Sequence, residues 1–147
     1  KYGLMDEVRE GMMKQFRARI CANVPCQAAA KASLQGPQDY IEDLNRKLKE
    51  RAEFTYKRLN EIDRISTRRA KGAFYMFPSI DLDGTPWKTD KDFVLDLIAE
   101  EGVVVVHGSG FDPEFGSGHF RTITLPPLET LEEAYDKLER FIARNTA

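Results

Sequence analysis

Several things are scarce in this chain of 147 residues. There are only two cysteines, Cys21 and Cys26, too few for a disulfide framework, and this points to a reducing, cytoplasmic setting. Charge of one sign is missing as well: 22 basic against 24 acidic side chains leave a net −2. Nucleic-acid binders carry a basic patch or stripe, so nucleic acid is set aside as a partner. No apolar run approaches the length of a bilayer-spanning helix, so no membrane partner is expected. The opening KYGLMDEVREG shows neither an apolar signal core nor a small-residue cleavage site. Repeats and low-complexity segments are absent too. Histidines number two, His107 and His119. They could join the cysteines in a metal site, but the C-x4-C spacing suits metal poorly. The neighbours Ile20, Ala22 and Ala28–Ala30 favour buried structural thiols, so no metal is expected.

What is present is patterned. Leu4, Val8, Met12, Phe16 and Ile20 recur every fourth residue and mark one face of a helix. It starts near residue 1 without a Ser, Thr or Asp cap, so we expect a piece of something longer. Asn23 fits a helix N-cap, with Pro25 in the first turn, and Gly36-Pro37 marks a break. A long helix is expected from Pro37 to about Ile62. Its buried stripe is Ile41, Leu44, Leu48, Thr55, Leu59 and Ile62. The i,i+4 pairs are Glu42/Arg46, Asp43/Lys47 and Glu53/Lys57.

Two strands fit near Ile65–Arg68 and Ala73–Ile80. A helix follows over Asp90–Glu101, capped by Thr89 and closed by Gly102, with Phe93, Val94, Leu97 and Ile98 inward. VVVVHG reads as a fully buried strand and HFRTITL as another. Thr130 and Glu133 match a capping box for a last helix with the stripe Leu131, Tyr135, Leu138 and Ile142. The expected fold class is α+β: a small mixed or antiparallel sheet of about four strands, covered by helices.

One residue stands out. The stretch GSGFDPEFGSGHFRTITLPP carries Gly108, Gly110, Gly116 and Gly118 and then Arg121 in a strand. A period of two puts Arg121 on one face with His119, Ile123 and Leu125. A desolvated guanidinium needs an anion. The partner is either an internal carboxylate (Asp81, Asp83 or Glu114) or the carboxylate of a ligand, which the planar guanidinium fork matches. The glycine-rich segment reads as a mobile loop folding over a small ligand. A phosphate cradle is disfavoured, because a strand follows rather than a helix N-terminus.

Four segments taken in order, NVPCQAAAKASLQGP, KGAFYMFPSI, VVVVHGSGFDPEFGSGHFRTITLPP and ETLEEAYDKLERFI, resemble the C-terminal part of class I/II aminotransferases. Those are fold-type I pyridoxal-phosphate enzymes, and the alanine aminotransferase-like branch is the nearest in character. The resemblance implies that Arg121 grips the α-carboxylate of an amino acid. It places Ser109 and Gly110 at the active-site edge. It sets Asn23 near the neighbouring subunit's cofactor, beside its plain reading as a helix cap. Aspartate-specific members carry an arginine at the position of Ala18, so a monocarboxylic side chain such as alanine's is implied.

No Ser-Lys cofactor motif occurs. The Schiff-base lysine is therefore expected outside this chain, with no catalytic residue inside it. On this reading residues 1–147 form a single C-terminal domain, with 1–22 an interdomain helix and the cofactor-binding large domain of the same chain upstream. The implied partners are amino acid and 2-oxo acid substrates and a second copy in a homodimer. Pyridoxal 5′-phosphate is expected in the full-length enzyme but not on this piece, which would be inactive alone. Two other readings stay open. One is a domain of another fold-type I enzyme, a lyase or decarboxylase; the other is an independent small α+β binding module.

Overall fold

Helices lead and a small sheet follows in the computed structural model, which describes residues 3–146, with side chains from Met5 onward. The elements are α1 (Gly3–Ala18), α2 (Val24–Gln35), α3 (Asp39–Glu61), β1 (Ile65–Ser66), β2 (Tyr75–Met76), β3 (Ser79–Ile80), α4 (Asp90–Glu101), β4 (Val106–His107), β5 (Phe120–Ile123) and α5 (Leu128–Asn145). A 3-10 turn over Gly108–Gly110 follows β4. The chain divides into two compact units, Lys1–Tyr40 and Ile41–Ala147.

In the first unit, α1 takes up most of the predicted stripe but ends at Ala18, short of Ile20, and the stripe is uncovered. Val8, Met12 and Phe16 are 50%, 55% and 67% exposed. Leu4 opens that stripe in the sequence, and its side chain lies outside the described residues. Asn23 caps α2: its Oδ1 accepts from the Cys26 amide at 2.9 Å, and Pro25 sits in the first turn. No residue of α2 is buried. Cys21 and Cys26 are accordingly exposed, against the expectation of buried thiols. Apolar neighbours along the sequence did not become cover, because the alanines beside them present too little surface to build a core within this unit. Among the described residues no cluster of His, Cys, Asp or Glu could hold a metal ion. No helix among them is long and apolar enough to cross a membrane.

The second unit holds the core. The expected stripe of α3 is buried only toward its end: Thr55, Leu59 and Ile62 are buried, whereas Ile41 and Leu44 are exposed. Arg58 ties α3 to α5, reaching Asp136 at 2.8 Å and also Glu139. The hydrogen bond to Asp136, helped by the one to Glu139, outweighs partial burial and raises the guanidinium pKa above its ordinary value. Of the predicted i,i+4 pairs, Asp43–Lys47 forms. Arg46 turns to Asp43 instead of Glu42, and Glu53 takes both ends of Arg69 from a distant loop.

The expected strand over Ala73–Ile80 is split. Pro78 lacks an N–H, and its carbonyl instead accepts from Phe120 at 3.0 Å. β2 thus joins the antiparallel sheet β2-β5-β4, while β3 pairs with β1. The pairings are Tyr75↔Ile123 and Met76↔Thr122, Val106↔Arg121 and His107↔Phe120, and Ile65↔Ile80. A single bridge, Ser79↔His119, joins the two sheets. The VVVVHG segment is not a fully buried strand. Val105 is buried, Val104 is exposed, and only Val106–His107 pair, because this is the sheet's edge and has one covered side.

α4 matches expectation closely. Thr89 and Asp92 form a reciprocal capping box, and Gly102 closes the helix at φ 68°. Phe93, Val94 and Leu97 face inward. α5 begins at Leu128, so Thr130 lies within its first turn and not at the cap, which falls on Pro127. Leu131, Tyr135, Leu138 and Ile142 are buried as predicted, joined by Phe141. These helices, the end of α3 and Phe120 of β5 enclose one core. Burial of each such side chain contributes roughly 1.5–3 kcal/mol. Trp87 packs against Phe93 and Phe141, and its Nε1 donates to Asp96 at 3.0 Å.

Candidate functional site

β5 is the middle strand of its sheet, and its pleat sorts alternate residues. Phe120, Thr122 and Thr124 go into the core. Arg121 points the other way, half-buried, and the neighbours on its side, Ile123 and Leu125, remain partly open. The face is therefore less apolar in effect than the sequence implies, since solvent reaches it.

Internal carboxylates do not neutralise Arg121. Among the described residues none pairs with it. Asp81 lies 3.8 Å from the Arg64 guanidinium, and the carbonyl of Asp83 accepts from the same group at 2.7 Å. Two aromatic rings surround Arg121 instead. Its Cζ lies 4.8 Å from the centre of the Tyr75 ring and 4.5 Å from that of Phe111. The negative faces of the rings attract the cation but do not occupy its N–H donors. The fork therefore stays available to an anion.

The row of rings continues. Phe77 meets Phe111 edge-on at 6.0 Å and stacks on His119 at 5.3 Å. His119 takes a further contact from its Nδ1 to the Ser117 carbonyl oxygen, 2.9 Å away. Tyr75, Phe77 and His119 also border a cleft of about 530 Å³ shared with Ser66, Arg68 and Ser79.

The glycine-rich segment is closed on itself, where sequence reading expected mobility. The Gly108 amide donates to His119 O, Phe111 to Gly108 O, Gly116 to Asp112 O and His119 to Gly116 O, all within 3.1 Å. Asp112 Oδ1 accepts from the Glu114 and Phe115 amides. Glycine is required for close contact here. A Cβ on Gly116 would stand 2.1 Å from Gly108 O, and one on Gly108 would stand 2.2 Å from Gly116 O. A carboxylate anchors the near end: Asp90, 2% exposed at the start of α4, accepts from the Ser109 amide at 2.8 Å.

Ser109 and Gly110 thus form a turn packed on His107, with Ser109 Oγ 3.0 Å from His107 Nδ1. Asn23 belongs to the other unit, where it caps α2. Sequence reasoning missed Tyr75, Phe111 and Asp90. The aromatics were visible only as strand and loop residues. Asp90 read as an ordinary charge in a helix's first turn.

Residues 2–138 match the family model for aminotransferase class I and II, and the chain belongs to that family. It is 39% identical over 136 residues to a glutamate-pyruvate aminotransferase, AlaA, of Haemophilus influenzae, covering 91% of this chain and 33% of that protein. It superposes with a TM-score of 0.82 on an alanine aminotransferase of Pyrococcus furiosus, at 52% identity over 95% of this chain and 35% of that one. An aspartate aminotransferase of Rhizobium meliloti gives a TM-score of 0.79 at 32% identity, over 90% of this chain and 34% of that one. The chain thus spans about one third of the length of the relatives it matches.

Proposed function

We propose that this chain is the substrate-gripping C-terminal domain of an aminotransferase that moves an amino group between an alanine-like amino acid and a 2-oxo acid. The observation that carries the reading is Arg121, a cation on the open face of the central strand with aromatic flanks and no carboxylate partner among the described residues. A guanidinium in that position binds the α-carboxylate through two parallel N–H···O bonds. It fixes the amino acid's orientation and so contributes binding and positioning. The names of the H. influenzae and P. furiosus relatives support an alanine-type substrate.

The family implies pyridoxal phosphate in the full enzyme. The described residues here do not fit it. Most amides of the glycine loop, those of Gly108, Ser109, Phe111, Asp112, Glu114, Phe115, Gly116 and His119, are engaged by its own carbonyls, by Asp112 and by Asp90, which is not the open cradle a phosphate needs. We assign the cofactor and its lysine to sequence outside this chain, which fits the one-third coverage of the relatives. Residues 1–147 then act as the small domain, 1–22 as the connection to the large one, in a homodimer.

The test is Arg121→Lys in the whole enzyme that carries this chain. Losing one of two charge-assisted hydrogen bonds should lower kcat/KM for L-alanine about 10- to 100-fold. An unchanged value overturns the assignment.

A further inference from the structure

We infer that Phe111 and Tyr75 are positioning residues that hold the Arg121 guanidinium ready for a substrate carboxylate; this rests on the reading of Arg121 given above. Three observations carry it. First, the Arg121 Cζ lies over both rings, at 4.5 and 4.8 Å, and has no carboxylate to orient it among the described residues. The rings are thus the groups in place to orient it. Second, each ring is itself held. Phe111 is delivered by the closed glycine loop, its amide donating to Gly108 O at 2.9 Å, and Phe77 braces it edge-on. Tyr75 is fixed by the β2–β5 pairing, opposite Ile123, and packs on Phe74 with ring centres 4.4 Å apart. Third, both rings remain partly exposed, 43% for Tyr75 and 51% for Phe111, so neither is a core residue whose place is explained by burial.

The physical consequence is pre-organisation. A free arginine loses rotamer freedom when it grips an anion, and this one has lost it beforehand. The rings also exclude water from the guanidinium faces while leaving its edge donors open. The closed glycine loop then serves to set an aromatic ring over the arginine of the following strand.

In the whole enzyme, Phe111→Leu is expected to raise KM for L-alanine about 3- to 30-fold with kcat changed less than about twofold, the signature of lost uniform binding. Phe111→Trp should restore most of the affinity, because it returns an aromatic face. Tyr75→Leu should act in the same direction, and Tyr75→Phe should not. An unchanged KM in Phe111→Leu, or equal losses in the Leu and Trp variants, overturns the inference while leaving Arg121 as the clamp. An unaffected Arg121→Lys enzyme overturns both.

Discussion

Along β5 and its continuation, two sides of one short segment have opposite fates. Phe120, Thr122 and Thr124 are 0%, 8% and 1% exposed, whereas Ile123 and Leu125 on the other side are each 40% exposed and Arg121 stands between two rings. The inward side joins the core with α4 and α5 and is where burial stabilises the fold. The outward side contributes little to burial and holds the charge. A strand separates the two roles at no structural cost, because its side chains alternate. Stability and binding should therefore respond to different residues one position apart.

The strongest attack on that contrast is Phe120→Ala. Truncating this fully buried ring should cost about 3–5 kcal/mol in urea unfolding, against less than about 0.5 kcal/mol for Arg121→Lys next to it. Comparable losses at the two positions would collapse the distinction. Gly116→Ala comes next. Its Cβ would meet the Gly108 carbonyl oxygen at 2.1 Å, and the partner is backbone that cannot swing aside. A loss of roughly 1–3 kcal/mol is expected, together with weaker substrate binding as Phe111 shifts.

Thr89→Ala removes the cap of α4 and should cost about 1 kcal/mol in urea unfolding. The smallest effect lies at high pH. Burial, only partly offset by a bond to Thr55, holds the Tyr135 hydroxyl above its ordinary range. The unfolded chain then loses this proton first, so stability is full below about pH 10 and declines as pH rises beyond it. Tyr135→Phe should flatten that decline in urea melts between pH 8 and about 11.

The first unit offers a second contrast. The four-residue spacing in α1 is as regular as that in α5, yet Val8, Met12 and Phe16 are exposed while Leu131, Tyr135 and Leu138 are buried. Periodicity reports that a helix has an apolar side; it does not report what covers it. The same limit explains the exposed cysteines, whose apolar neighbours lie along the chain rather than around the thiols. It also explains VVVVHG, where four valines in a row suggested cover on both sides of what is an edge strand.

Local chemistry was legible at several helix ends, though not at the start of α5, where the cap falls on Pro127 and not on Thr130. Thr89 and Gly102 set the limits of α4, Asn23 that of α2, and the pleat placed Arg121 opposite the core residues of β5. These depend on hydrogen bonds and dihedral preferences within a few residues, which the sequence alone determines. Tertiary structure decided the rest. It placed Tyr75 and Phe111, 46 and 10 residues away along the chain, over Arg121, and gave that guanidinium no carboxylate partner among the described residues while Arg64 engaged Asp81. It also turned Asp90 from a helix-end charge into the tether of the glycine loop. Contacts between residues far apart in sequence depend on the register of strands and the packing of elements, and no local pattern encodes those.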